Sequence, residues 1–181
     1  MHRSGRFCYL LSLAIYCATA TLAWADAQRS TIVVFDAELV DTSLEGEMSG
    51  QNPADSKRLS MITEQLREGF HSSDQFTLVD TDAALQSLAD LRKTVHFLHD
   101  CNNCELDIAK SLGAEQSAVI WVQKVSNLIL NLNVVIKEVA TGNTVRTAFV
   151  DIRGNTDRSW QHGMRYMLKY RLLGTGKPSA P

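Results

Sequence analysis

The strongest constraint on the fold is a segment of alternating side chains at Leu128–Val139, which predicts a long β-strand. Its even-numbered apolar residues share one face, whereas Asn131 and Asn133 interrupt the other face. The turn Ala140–Asn143 and a second strand at Thr144–Arg153 follow directly, so the two strands form a hairpin. A face that carries two asparagines is less buried than its apolar counterpart. This half-polar face is therefore either solvated or partner-binding, and Asn131 and Asn133 are candidate binding residues.

The other patterns place this hairpin at the end of a mixed α/β domain. Short β-branched or aromatic runs predict strands, and apolar residues spaced three and four apart predict helices. The predicted strands are Thr31–Phe35, Phe76–Val79, Ser117–Val125, Leu128–Val139 and Thr144–Arg153, and the predicted helices begin near Pro53, Asp82, Glu105 and Asp157. The order β-α-β-α-α-β-β-β-α predicts one α/β (α+β) domain, with a mixed five-stranded sheet and helices packed on it.

The N-terminus has the pattern of a secretory signal peptide at residues 1–25. A basic start, an apolar run at Leu10–Leu22 and the small residues of Ala23-Trp24-Ala25 predict cleavage after Ala25. The apolar run is too short to span a membrane, which takes about 20 residues. We therefore expect export to the periplasm, a domain at residues 26–173, a flexible tail at residues 174–181, and no membrane span after cleavage.

The charge balance argues against nucleic acid as a partner. The chain has 18 Lys and Arg against 20 Asp and Glu, a formal net charge of −2. The predicted signal holds two arginines and no acidic residue, so the mature chain has a formal net charge of −4. No cluster of Lys and Arg along the sequence offsets this acidity. We expect the partner to be another periplasmic or envelope protein.

Cleavage would leave two cysteines, Cys101 and Cys104, at the start of a predicted helix. In an oxidising compartment this pair predicts a structural disulfide that fastens the loop to the helix. The same spacing occurs in thiol-redox proteins, where a helix N-terminus lowers the pKa of the thiol, so redox function is a second interpretation. The neighbouring Glu105 opposes it, because a negative charge disfavours the thiolate.

Two histidines just before these cysteines give a third interpretation. Imidazole and thiolate ligands suit zinc or copper(I), so His96, His99, Cys101 and Cys104 could together hold a metal ion. All four fall within nine residues, whereas structural zinc sites usually take ligand pairs from separate segments. The sequence thus keeps a metal site as an alternative to the disulfide, and it predicts no cofactor.

The segment between the first strand and the first helix is long, polar and acidic. Its carboxylates match no calcium-binding loop, so a solvated loop is one interpretation. Long loops in compact domains usually have a use, so a binding surface is the other. The candidate residues of this acidic segment are Asp36, Glu38, Asp41, Glu45 and Glu47.

Arg153 and Asp157 are a further candidate pair, at the end of the last strand and the start of the last helix. They could form a polar binding site at the edge of the sheet. The alternative is a strand exit followed by a helix cap, with Thr156 or Asp157 capping. No nucleophile elbow, phosphate loop, dinucleotide fingerprint or zinc-protease motif occurs in the sequence, so we expect no catalytic residues and no enzymatic activity.

Several strings in the second half carry a family resemblance. Together they resemble the amino-terminal domain of the Tol–Pal translocation protein TolB and its relatives, in which a helix ending in Leu-Gly-Ala leads into a strand and then a hairpin. The resemblance covers about residues 31–173 and implies a fold rather than a site. The strings are Leu106–Ala114, Val119–Lys124 and Val134–Thr144.

More specific strings resemble an exported bacterial family of unknown function, found in the periplasm. Membership implies no established activity; it implies an accessory or interaction protein, associated with a periplasmic quinoprotein alcohol-oxidation system. A thiol-redox or metal-handling protein acting through Cys101 and Cys104 is the alternative. The strings are Val34–Glu47, Cys101–Ile108, Trp121–Asn133 and Asp151–Asp157, with Trp160.

Overall fold

A computed structural model describes residues 29–174 of the chain. The predicted signal peptide at residues 1–25, its cleavage site and residues 175–181 of the predicted tail lie outside the described residues. The strands are β1 (Ser30–Val34), β2 (Glu38–Asp41), β3 (Phe76–Val79), β4 (Gln116–Ser126), β5 (Ile129–Glu138) and β6 (Thr144–Arg153). The helices are α1 (Leu44–Ser49), α2 (Pro53–His71), α3 (Leu85–Leu91), α4 (Cys104–Ser111) and α5 (Asp157–Met167), and a π-helical turn (Leu168–Leu172) extends α5.

The six strands form one mixed sheet in the order β3-β1-β4-β5-β6, with β2 also paired to β4. The strands β3, β1 and β4 run parallel, whereas β4, β5 and β6 form an antiparallel meander. Along one edge of β4, β1 pairs with Gln116–Ala118 and β2 pairs with Trp121–Lys124. The chain from Ser30 to Asp41 therefore lies along a single strand in two successive pieces.

The alternation predicted for β5 is confirmed. Leu130 and Leu132 are at most 1% exposed, whereas Asn131 and Asn133 are only partly buried. The prediction that Leu128 shares the inward face is wrong, because this residue belongs to the tight turn that joins β4 to β5 and its side chain is exposed. The strand therefore begins at Ile129, one residue later than predicted.

Helices cover both faces of the sheet. The helices α2 and α5 pack on the face formed by the even-numbered residues of β5, where the larger core includes Ile62, Leu66, Leu132, Trp160 and Met164. The helices α3 and α4 lie on the opposite face, where a smaller core includes Val33, Phe35, Leu98, Ile108 and Val119. This smaller core draws on β1 and β4, so the same face of β5 and β6 is left with exposed side chains.

The mixed α/β fold is confirmed, but the sheet has six strands rather than five. The sequence interpretation assigned residues 36–55 to a loop, whereas they contain β2 and α1. The strand β2 has four residues, two of which are the carboxylates Glu38 and Asp41, so it has no apolar run. It forms because its backbone pairs with β4 and its two carboxylates pair with the buried Lys124 and with Arg92.

The starts of α2 and α5 follow the capping rules. Asn52 caps α2, since its Oδ1 accepts a hydrogen bond from the Ala54 N–H at 2.9 Å, and Pro53 occupies the first helical position. Thr156 caps α5, where its Oγ1 accepts from the Ser159 N–H at 3.2 Å. Between the two caps that the sequence suggested, the structure selects Thr156 over Asp157.

Within residues 29–174, no helix is both long enough and apolar enough to cross a membrane.

Truncation of neighbouring residues in β5 tests the register. We expect Leu130→Ala to lower the free energy of unfolding by about 2–5 kcal/mol, because it leaves a cavity in the larger core. The adjacent Asn131→Ala should lower it by less than about 1 kcal/mol, since the side chain is half-exposed and its hydrogen bond to Asp151 is accessible to water. Urea denaturation of both variants measures the difference, and equal large losses would contradict the assignment of the two faces.

Candidate functional site

The acidic segment surrounds a buried lysine rather than facing water. The side chain of Lys124, on β4, is fully buried. Its Nζ donates to Asp41 Oδ2 at 3.0 Å and to Asp55 Oδ2 at 2.9 Å, and Glu45 Oε2 lies 3.6 Å away. We call these four residues the Lys124 cluster. It brings together β2, α1, the first turn of α2 and β4.

A second layer of polar groups satisfies the remaining oxygens of Asp55. Arg58 Nη1 and Asn155 Nδ2 donate to Asp55 Oδ1 at 2.7 and 2.8 Å. Arg58 Nε also donates to Asp157 Oδ1 at 2.7 Å, and the indole N–H of Trp160 donates to Asn155 Oδ1. The start of α5 is thereby tied to the Lys124 cluster, and Asp157 is already occupied by an arginine.

The protonation equilibria follow from these contacts. Burial alone would raise the pKa of Asp55, but hydrogen bonds from Lys124 and Asn155 outweigh it and lower the pKa below its usual range. Burial is opposed in the same way at Asp41, where hydrogen bonds from Ser43 and Lys124 lower the pKa. Burial would lower the pKa of Lys124, yet its two carboxylate partners raise it. The cluster is therefore held in its fully ionised form and is a poor general acid or base at neutral pH.

Sequence interpretation missed Lys124 as the centre of this cluster. The alternation of side chains along β4 could have identified it, because Lys124 lies on the same face of β4 as Ile120 and Val122, which are fully buried. A lysine at an inward position must find buried carboxylates, since an unpaired charge in a core is costly.

Glu38 lies on the other face of the sheet, although it is only three residues from Asp41. Its carboxylate accepts hydrogen bonds from Arg92 Nη1 and from the Leu98 N–H, both at 2.9 Å. His99 stacks on the ring of Trp121, with centroids 4.5 Å apart, and its Nδ1 lies 3.7 Å from Glu38 Oε2. These contacts fasten the segment before α4 to the strands.

The two remaining acidic candidates lie apart from both clusters. Asp36 accepts a hydrogen bond from Arg67 Nη2 at 2.9 Å and is exposed. Glu47 is exposed on α1. The five acidic residues predicted as one surface are thus divided among four environments, and only Asp41 and Glu45 share one.

Cys101 and Cys104 lie at disulfide distance, with Cα atoms 5.7 Å apart. Lys137 of β5 holds the loop from the other side, since its Nζ donates to Asn103 Oδ1 at 2.9 Å and to Glu105 Oε1 at 2.7 Å. Asn103 adopts a left-handed conformation, with φ of 66°, which asparagine tolerates better than most residues. The loop and the start of α4 are therefore attached to the sheet.

Glu105 approaches the sulfur atoms as well, with Oε2 3.3 Å from Cys101 Sγ. Within residues 29–174, the His, Cys, Asp and Glu side chains that come close enough to share a metal ion are Cys101, Cys104 and Glu105. His96 is exposed beside Phe97, and neither predicted histidine belongs to this group. While the two sulfurs are bonded to each other they offer no thiolate, and the Glu105 carboxylate is neutralised by Lys137.

Asn131 and Asn133 lie on the part of the sheet that α3 and α4 leave open. Asn131 Nδ2 donates to Asp151 Oδ1 at 2.8 Å, and Asn133 pairs across the strands with Phe149. Phe149 is 64% exposed and Ile129, on the same face, is 47% exposed. We call Ile129, Asn131, Asn133, Phe149 and Asp151 the uncovered sheet patch. Sequence interpretation found its asparagines and missed Phe149.

Arg153 and Asp157, predicted as one polar site, have separate roles. Asp157 is paired with Arg58, whereas the exposed Arg153 lines a groove between β6 and α5. The groove has a volume of about 550 Å³ and also contains Arg158 and His162.

The chain belongs to the family DUF3280, described as "Protein of unknown function (DUF2380)", which matches residues 30–172. The family of unknown function indicated by the sequence resemblance is thereby confirmed. A search of curated proteins finds no match.

Solved structures with a similar fold include three bacterial proteins. The C-terminal domain of LpoB from Escherichia coli is 17% identical, with a TM-score of 0.45 over 68% of this chain and 82% of that chain. The lipoprotein GNA1162 from Neisseria meningitidis is 11% identical, with a TM-score of 0.45 over 71% of this chain and 83% of that chain. TolB from Acinetobacter baumannii is 8% identical, with a TM-score of 0.41 over 79% of this chain and 29% of that chain.

Removal of the central ammonium group tests the Lys124 cluster. We expect Lys124→Met to lower the free energy of unfolding by about 3–5 kcal/mol at pH 7, because it leaves buried carboxylates without a counter-charge. Lys57→Met, on the exposed side of α2, serves as the matched control and should change it by less than about 0.5 kcal/mol. Urea denaturation measures both, and a loss below about 1 kcal/mol for Lys124→Met would contradict the account.

The same variant should change the pH dependence of stability. In the native protein the lowered pKa values of Asp41 and Asp55 stabilise the fold above about pH 4, and this contribution disappears as the pH falls through the folded-state values. In Lys124→Met the buried carboxylates gain from protonation, so the difference in unfolding free energy between the two proteins should narrow from pH 7 to pH 4. A difference that is constant over this range would contradict the assigned ionisation.

Removal of the cysteine pair should leave the fold intact. The loop that the two residues close is very short, so a disulfide contributes about 2 kcal/mol at most through chain entropy. We expect Cys101→Ser/Cys104→Ser to fold, with a melting temperature a few degrees lower. Calorimetry measures the change, and reductant added to the native protein should produce the same shift. Failure of the double variant to fold, or a reduction potential of about −270 mV or higher with disulfide-reductase activity, would contradict a structural role.

Proposed function

We propose that this protein is a non-enzymatic interaction protein of the bacterial cell envelope, which binds another envelope protein through the uncovered sheet patch. The observation that carries the proposal is the exposure of Phe149 and Ile129 beside two asparagines on an ordered sheet. Aromatic side chains at the centre of a rigid surface are typical anchors of protein interfaces, and amides beside them supply hydrogen bonds.

The acidic segment is a weaker candidate for the binding surface. The carboxylates of Glu38 and Asp41 are directed at Arg92 and Lys124 within the domain. A partner that used these carboxylates would have to displace buried ion pairs, which is costly. We infer that they hold β2 in place, and that binding falls to the opposite end of the sheet.

Periplasmic export is part of the same proposal. It is supported by the signal-peptide pattern at residues 1–25 and by the cysteine pair at disulfide distance, which suits an oxidising compartment. As the partner we propose a component of a periplasmic quinoprotein alcohol-oxidation system, which is supported by the family resemblance alone.

A thiol-redox or metal-handling role for Cys101 and Cys104 is the second candidate. One geometric feature favours it: α4 begins at Cys104, so its dipole would stabilise a thiolate after reduction. The buried carboxylate of Glu105, 3.3 Å from Cys101 Sγ, opposes it, although the ion pair with Lys137 offsets part of this repulsion. The double serine variant separates the two functions, because an interaction protein should keep its partner and a redox or metal-binding protein should lose its activity.

Site-specific photo-crosslinking tests the interaction. We expect a photoreactive phenylalanine analogue at position 149 to give one dominant protein adduct when the exported protein is irradiated in the native envelope fraction. The same analogue at Leu85, which is 60% exposed on α3, is the control and should not give that adduct. In a pull-down without crosslinking, Phe149→Ser should reduce recovery of the protein identified in the adduct at least about tenfold, as expected for a central aromatic anchor. No adduct at position 149, or the same adduct from position 85, would contradict the proposal.

A further inference from the structure

The strand β6 is a free edge of the sheet and forms one wall of a groove. Within the described residues it pairs with β5 alone, so the backbone groups on its outer side have no strand partner. Four consecutive residues, Val150–Arg153, line the groove, which a strand can do only along its edge. The opposite wall is α5, which contributes side chains spaced about one turn apart, including Arg158, His162 and Tyr166.

The floor of the groove is apolar because it is formed by Val150 and Ile152, over which α5 packs closely. Gly163 makes this approach possible, since a Cβ atom there would lie 3.0 Å from Ile152 Cγ1. Val150 and Ile152 therefore lie beneath the helix and line the groove. An edge strand, a neighbouring helix and an apolar floor are the features by which domains bind an extended peptide as an additional strand.

The positively charged side chains of the groove favour an acidic partner. Arg153 and Arg158 are exposed, and within residues 29–174 neither forms an ion pair. Asp157, which precedes Arg158 in the chain, is occupied by Arg58 at 2.7 Å. Asp151 also lines the groove, and its carboxylate accepts a hydrogen bond from Asn131. The arginines therefore outnumber the carboxylate, although the chain as a whole is acidic.

We propose that the groove between β6 and α5 binds an extended acidic peptide segment of a partner protein, which adds to the sheet as a strand beside β6. The peptide backbone would pair with the free edge, and its apolar side chains would rest on Val150 and Ile152. Its carboxylates, on the other face of the added strand, would meet Arg153, and Arg158 would add to the positive charge of the groove. A lipid headgroup or a free anion would use the arginines but leave the strand edge unpaired. A second copy of this chain would bring the same arginines against each other.

A synthetic peptide tests this inference without knowledge of the natural partner. The probe is a capped, fluorescently labelled seven-residue peptide in which glutamate alternates with valine, and binding is followed by fluorescence anisotropy. We expect saturable binding to the native protein. The same peptide with lysine in place of glutamate should not bind, and alternate N-methylation of its backbone should abolish binding, because it removes the donors that pair with a strand.

Matched charge reversals locate the site. We expect Arg153→Glu/Arg158→Glu to weaken binding of the glutamate peptide at least about tenfold, since it replaces attraction with repulsion. Arg165→Glu/Arg171→Glu, exposed residues of the same region outside the groove, changes the net charge equally and should weaken binding less than about twofold. Circular dichroism confirms that both variants are folded.

Four outcomes would overturn the inference. These are the absence of peptide binding at millimolar concentration, equal losses in the two charge-reversed variants, undiminished binding of the N-methylated peptide, and binding of the protein to anionic lipid vesicles or to itself in place of the peptide. The groove and the uncovered sheet patch share only Asp151, and peptide binding uses neither Phe149 nor Ile129, so the crosslinking at position 149 and the peptide titration can fail independently.

Discussion

Burial of the Lys124 ammonium group is the constraint on which the N-terminal half of the fold depends. Removal of a single charge from water costs several kcal/mol, so carboxylates must be brought to hydrogen-bonding distance before the core can close. Asp41 and Asp55 meet this demand at 3.0 and 2.9 Å, from β2 and from the first turn of α2. The strand β2 consequently lies beside β4, and α1 fills the connection to α2.

Because of this arrangement, the surfaces that remain available to a partner lie on β5 and β6, at the other end of the sheet. Because Glu38, Asp41 and Asp55 are neutralised internally, the acidic segment offers little free charge to a partner. The strands β5 and β6 differ from this, since one face exposes Phe149 and, within residues 29–174, no strand pairs with the outer edge of β6. A sheet face that exposes Phe149 and Ile129 next to an unpaired strand edge can bind a partner without breaking the ion pairs that hold the acidic segment.

Local patterns predicted the parts of this fold that local physics determines. The alternation around Leu130 and Asn131 identified β5 and its inward face, and the spacing of Cys101 and Cys104 identified a pair of neighbouring sulfurs. The contacts that bury and neutralise the acidic residues join positions far apart in sequence. Lys124 and Asp41 are 83 residues apart, so only tertiary pairing reveals that β2 is a strand.

The central claim is that the acidic segment is an integral part of the sheet rather than a loop available to partners. Hydrogen exchange measured by mass spectrometry tests it most directly, because slow exchange requires a stable backbone ladder. The account predicts that the alternate amides of this segment that bond to β4, including the Thr42 N–H that donates to the Lys124 carbonyl at 2.9 Å, exchange as slowly as the amides of residues 122–124. Exchange of these amides as fast as that of the exposed turn at residues 140–143 would contradict it.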